Sequence, residues 1–199
     1  IILTAFQLIL FLSQLHCSCV ALGNNGNNNE IDEDLHSFHQ SVAQLVSAMG
    51  INLIAKLDHP SNGIELNQYM NIAMTLFSHP SITIGTDMIA AFSQLMVRNN
   101  KILESSEVKS IIPALFNILS IKLRKWGSPD ASDCSGIVSQ FSLLEFDDHE
   151  AYQVEAGKMR GRVTILTRCI VCSDPINAIQ HLGSSLTMVS KIQKAKESV

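Results

Sequence analysis

Apolar residues recur along this chain at steps of three and four, the spacing that lines one face of an α-helix, and no stretch shows the strict alternation of a half-buried strand. From about 34 to 57 the stripe runs through Leu35, Phe38, Val42, Leu45, Val46, Met49, Leu53, Ile54 and Leu57. From 64 to 78 it is Ile64, Tyr69, Ile72, Ala73, Leu76 and Phe77, and from 82 to 98 it is Ile84, Met88, Ile89, Phe92, Leu95 and Met96. A fourth helix over 105–126 turns inward Val108, Ile111, Ile112, Leu115, Phe116, Leu119 and Leu123, with Pro113 either near its first turn or kinking it. Residues 147–171 give a fifth, and Asp174-Pro175 caps and starts a last one with Ile176, Ile179, Leu182, Leu186, Val189 and Ile192 inward.

The punctuation between these stripes is as telling as the stripes. His-Pro-Ser occurs twice, at 59–61 and 79–81, where proline removes a donor and pushes the preceding residue away from helical angles. One amphipathic helix alone cannot offset the ordering of its backbone, which costs about 1–2 kcal/mol per residue. Helices of this length joined by short turns bury their stripes against one another, and the reading is an all-α, HEAT-repeat (armadillo-like) solenoid of stacked antiparallel pairs. Its expected organisation is a helix of a preceding repeat over 1–22, an Asn-rich linker over 23–33, HEAT-type helices over 34–126, a long loop over 127–146 and HEAT-type helices over 147–199. The start at Ile1, already within an apolar pattern, marks an expected fragment of a longer protein.

Composition sharpens the class. With 46% hydrophobic and 16% charged residues the 199-residue chain can bury a core, and its few aromatics suit aliphatic helix-on-helix packing. The uncharged run Ile1 to Leu22 is long enough to span a bilayer, but it lacks a basic leader and carries Ser13, Gln14, His16 and Ser18, so a buried repeat helix is expected and no membrane partner. The five cysteines are an odd, scattered set that fits reduced thiols; Cys169-Ile-Val-Cys172 has no second ligand pair and reads as two core cysteines. His36 and His39, three apart, read as exposed or partly buried helix residues and not as metal ligands, while His59 and His79 read as turn residues. No Gly-rich phosphate loop is present, so no intrinsic nucleotide hydrolysis, no catalytic residue, no metal and no cofactor is expected.

The net charge of −4 conceals segregation. Arg98, Lys101, Lys109, Lys122, Arg124 and Lys125 crowd 98–125 against only Glu104 and Glu107, whereas 130–155 holds Asp130, Asp133, Glu145, Asp147, Asp148, Glu150 and Glu155 and no base. Such blocks also suit plain solvated helix ends, where acids face the positive and bases the negative end of the helix dipole.

Against this background a set of weak motifs falls in a recognisable order. His79-Pro80-Ser81-Ile82-Thr83-Ile84-Gly85-Thr86-Asp87-Met88, preceded by Val46-Ser47-Ala48-Met49-Gly50 and followed by Ile111-Ile112-Pro113, Phe146-Asp147-Asp148, Met159-Arg160 and Asp174-Pro175, resembles the exportin-5 family of β-karyopherins over about residues 38–183. The resemblance implies a segment of a nuclear export receptor of HEAT repeats. Such a receptor shuttles between nucleus and cytoplasm, binds RanGTP with double-stranded or otherwise structured RNA such as pre-microRNA hairpins and tRNA, and possesses no chemistry of its own; protein cargo and nucleoporins are further partners. On that reading the bases that would face RNA are Lys122, Arg124, Lys125, Lys158, Arg160 and Arg162, and the acids that would face Ran are Glu145, Asp147, Asp148 and Glu150. The rival is a generic HEAT or armadillo scaffold that binds protein partners alone.

Overall fold

The computed structural model describes residues 31–52, 63–98, 100–123, 137–180 and 183. Every regular element among them is helical: α1 (Glu33–Asn52), α2 (Gly63–Ser78), α3 (Ile82–Arg98), α4 (Asn100–Leu103), α5 (Ser106–Lys122), α6 (Ile137–Glu145) and α7 (His149–Ser173), followed by a helical stretch at 175–180. The expected helix over 1–22, the Asn-rich run at 23–29, His59 and the bases Arg124 and Lys125 lie outside the described residues.

Local chemistry sets the helix starts. Asp32 accepts from the Leu35 amide at 3.0 Å, Ser105 from Val108 at 3.3 Å and Asp148 from Ala151 at 2.7 Å, each satisfying an amide that the helix itself cannot pair. Asp174 does the same for Asn177 at 3.3 Å, as the Asp-Pro pair predicts. Pro113 sits well inside α5, and its exposed position leaves the carbonyl of Lys109, itself exposed, open to water.

The helices stack in two rows. In one row α1, α3 and α7 lie side by side, and contacts advance in step along each pair: Ser47 Oγ donates to the Asp87 carbonyl and Gly50 abuts Ala91, while Gly85 meets Met159 and Cys169 Sγ donates to the Met96 carbonyl. Neighbours in this row are therefore parallel. The second row is α2 against α5, and both rows press on a shared core in which Tyr69, Met70, Phe77, Met88, Ile89, Phe92, Leu95 and Met96 are completely or almost completely buried. Phe77 and Phe92 meet across the rows with ring centroids 5.6 Å apart, in the tilted arrangement that aromatic quadrupoles favour. On α7 the buried positions Tyr152, Ala156, Met159, Val163, Leu166 and Ile170 alternate steps of four and three, one unbroken seam along α3 and α5.

Several expectations are corrected. Leu123, just past the end of α5, is exposed and not turned inward. The predicted loop at 127–146 contains α6, whose buried face is Val138, Ser139, Phe141 and Ser142. On α1 the buried stripe is His36, His39, Val42, Ala43, Val46, Ser47, Met49 and Gly50, whereas Phe38 and Leu45 point outward, because the facing elements offer polar partners as well as apolar surface. Ile176 and Ile179 are exposed, and Ala178 is the buried residue of that turn. The cysteine pair divides likewise: Cys169 is half-buried and Cys172 exposed. Among the described residues no helix is long and apolar enough to cross a membrane.

Candidate functional site

Among the described residues the densest polar chemistry gathers at the His79-Pro80-Ser81 turn, where α2 ends and α3 begins. Ser81 caps α3 by accepting from the Ile84 amide at 3.1 Å. The remaining donors at this helix start go to a carboxylate from elsewhere in the chain, Glu145 at the end of α6. It accepts from the Ser81 hydroxyl, the Thr83 hydroxyl at 2.6 Å and the Ile82 and Thr83 amides at 3.2 and 3.4 Å, and His36 Nε2 from α1 lies 3.1 Å from it. A carboxylate at the positive end of a helix dipole is favourably placed. The Glu145 side chain is only 1% exposed. Burial alone would raise its carboxyl; the hydrogen bonds from His36, Ser81 and Thr83 and the charge of His36 outweigh that and hold it below the usual carboxylate range.

Lys122 closes the cluster from the end of α5. It is 3% exposed, its Nζ donates to the His79 carbonyl at 2.6 Å, and it stands 6.0 Å from the centre of the Phe77 ring. Burial lowers its pKa to about 8, and the Glu145 charge opposes that shift. Gly85 on α3 leaves room for it: a methyl group there would come within 3.3 Å of the ammonium and 3.4 Å of the Met159 sulfur. Phe141 of α6 sits against the rings of His36 and His79, with centroids 5.0 and 4.9 Å away, and His39 approaches His79 at 5.7 Å. His36 and His39 are thus buried, not exposed, because the turn supplies ring and carboxylate neighbours for them. Among the described residues no three His, Cys, Asp or Glu side chains converge as metal ligands.

This cluster takes two residues out of the surface sets that the sequence suggests. Lys122 cannot meet a phosphate, since its ammonium is buried and committed to a carbonyl, and Glu145 cannot meet a basic partner, since its carboxylate is enclosed by α1, α3 and the turn. The signal for Lys122 was its place on the apolar stripe of α5, three residues after Leu119; for Glu145 it was the run Val138, Phe141, Ser142, Glu145, all on one helical face.

The other predicted site residues among those described lie at the surface or, for Arg160, half-buried. Asp147, Asp148 and Glu150 are exposed, with Asp148 already serving as the cap of α7. Lys158 is exposed and paired with Glu155 at 3.0 Å. Arg160 is half-buried, about 200° around the helix from Lys158, while Arg162 returns to nearly the same face. Arg162 donates to the Thr86 carbonyl at 3.3 Å and borders a groove of about 230 Å³ between α3 and α7. It also faces Asp87, whose carboxyl is raised by burial and by Glu155 and lowered by Arg162. The bases of α7 are therefore distributed around the helix and partly balanced by acids of the chain.

Two rows of parallel-stacked helices, linked as successive antiparallel pairs around one continuous core, define a HEAT-like α-solenoid segment. The exportin-5 family model matches residues 33–198, and the chain belongs to the exportin-5 family, a family of nuclear export receptors built of helical repeats. No curated protein matches the chain.

Proposed function

We propose that this segment is part of a receptor that binds RanGTP together with structured RNA, such as pre-microRNA hairpins or tRNA, in the nucleus and carries that cargo to the cytoplasm. The single observation behind the reading is the family match across 33–198, the span that contains both helical rows. A receptor of this kind works by presenting surface, and a shared core with side chains committed internally keeps that surface in one geometry. A-form RNA hides its bases in a deep groove, so such a surface reads phosphates and shape. The residues assigned to RNA are Lys158, Arg160 and Arg162, with Arg124 and Lys125; those assigned to Ran are Asp147, Asp148 and Glu150.

The decisive experiment is retention of a hairpin RNA by the full-length protein with and without GTP-loaded Ran. Retention that requires Ran is the expected result; retention indifferent to Ran, or none, rejects the export-receptor reading of this chain. Replacing Lys158, Arg160 and Arg162 together by Glu is expected to weaken hairpin binding and flatten its dependence on salt, since every phosphate left without its cation lowers the slope of log affinity against log salt by roughly 0.9. An unchanged slope takes α7 off the RNA surface. One observation favours the protein-only scaffold as a second reading: Lys158 and Arg162 already interact with acids of the chain, which leaves less free positive charge for a polyanion than the sequence suggests.

A further inference from the structure

The helix that the sequence reads as loop carries a consequence of its own. Of the buried residues of α6, only Val138 and Phe141 are large and apolar; Ser139 and Ser142 fill the rest of that face, and Ser142 Oγ returns its hydrogen bond to the helix's own Val138 carbonyl. The opposite side stays apolar and open, with Ile137 and Leu143 each 53% exposed and Leu144 36%. The polar attachment of α6 to the rows, by contrast, converges on one group. Four hydrogen bonds and the His36 contact all end on the Glu145 carboxylate, and the groups that receive it belong to three other parts of the fold: His36 on α1, Ser81, Ile82 and Thr83 at the start of α3, and Lys122 on α5 as the nearby cation.

We propose that α6 is a latch, a short helix held against the α2–α3 turn by the charge of Glu145 and able to leave it as a unit while the two rows stay folded. The rows do not depend on α6 for their apolar core: the buried hydrophobic cluster is drawn from α1, α2, α3, α4, α5 and α7 with Ala178, and it includes neither Val138 nor Phe141. Release of α6 withdraws Phe141 from the rings of His36 and His79 and uncovers the start of α3, so that the hydroxyls of Ser81 and Thr83 and the amides of Ile82 and Thr83 become available to water. The charged and titratable groups around the carboxylate are His36 and His39 from α1, His79 from the turn and Lys122 from α5.

Hydrogen exchange of the full-length protein tests this directly. In Glu145→Gln, which keeps the side chain's shape and removes its charge, exchange of the amides of 137–145 is expected to rise at least tenfold while those of α3, α5 and α7 beyond their first turns keep their wild-type rates. Exchange of α6 at the wild-type rate, or acceleration of α6 and α3 together, overturns the latch, the second result making Glu145 a general stabiliser of the fold. Should the variant not fold, the wild type still decides in low, non-denaturing urea. There α6 opens well before α3 if it is a latch, and only with global unfolding if it is not.

Discussion

Gly50→Ala is expected to destabilise the protein by about 1–3 kcal/mol, although alanine is the better helix former by about 1 kcal/mol. The reason is the approach of α2 to the side of α1. A methyl group on residue 50 would stand 2.1 Å from the Tyr69 hydroxyl and 2.9 Å from its ring carbon, with the Ala91 methyl 3.3 Å away on α3. Tyr69 cannot yield by swinging out, since it is 2% exposed and its hydroxyl donates to the Val46 carbonyl at 3.2 Å, a bond made inside the core where burial also raises the phenol's pKa. Overpacking of this kind costs about 1–3 kcal/mol, and a displaced hydroxyl loses about another 1 kcal/mol of hydrogen bonding. Urea unfolding measures the sum, and a double-mutant cycle assigns it. Tyr69→Phe removes the atom in closest conflict, so in the Gly50→Ala background it should cost less than in the wild type or even stabilise. Strict additivity would mean that the hydroxyl is not what the glycine accommodates.

The contrast between Gly50 and its surroundings shows which parts of this fold the chain states openly. The apolar stripes of α2, α3 and α5 are visible because their burial is aliphatic and periodic: Ile84, Met88, Ile89, Phe92, Leu95 and Met96 are all buried as their spacing predicts. The stripe of α1 misleads by about one position. Hydropathy ranks Phe38 and Leu45 above His36, His39, Ser47 and Gly50, yet the latter four are buried, for reasons that lie on other elements: the turn, Asp87's carbonyl and Tyr69. For α6 the same limit applies more strongly. Its inward face is half serine, and the residue that anchors it is an acid, so a hydrophobic pattern has little to register. Charge is the least legible. Runs of Lys and Glu predict surface by composition, but whether a charge is free depends on partners distant in sequence, as the 64 positions between Ser81 and Glu145 make plain. The exposure of Asp147, Asp148, Glu150 and Lys158 was therefore legible in the sequence, whereas the burial of Lys122 and Glu145 was signalled only by their helical faces and depends on a turn and a helix start distant in the chain.

The burial of Lys122 sets the other large expectation, and it bears on how any surface test is designed. Lys122→Glu should cost more than about 4 kcal/mol, because it leaves a second acid beside Glu145 without solvent and strips the His79 carbonyl of its donor. A charge-reversal set that included residue 122 would thus lose RNA binding through loss of fold. Lys122→Met should be far milder. At pH 7 the wild type carries the penalty of keeping an ammonium ionised where burial has lowered its pKa from 10.5 to about 8, roughly 3 kcal/mol by linkage. The methionine avoids that penalty and forfeits a charged hydrogen bond of about 1.5–3 kcal/mol, so the two effects nearly cancel. The pH dependence separates them. A lysine depressed in the folded state binds fewer protons there than in the unfolded chain between pH 8 and 10.5, so wild-type stability should rise through that window relative to Lys122→Met and be level with respect to it below pH 7. Urea unfolding of both proteins across pH 6–10.5 reads the difference directly, since Cys169, whose pKa is raised by burial and by Cys172, contributes equally to each. Parallel profiles would place the Lys122 ammonium in water and dissolve the argument for the cluster around Glu145.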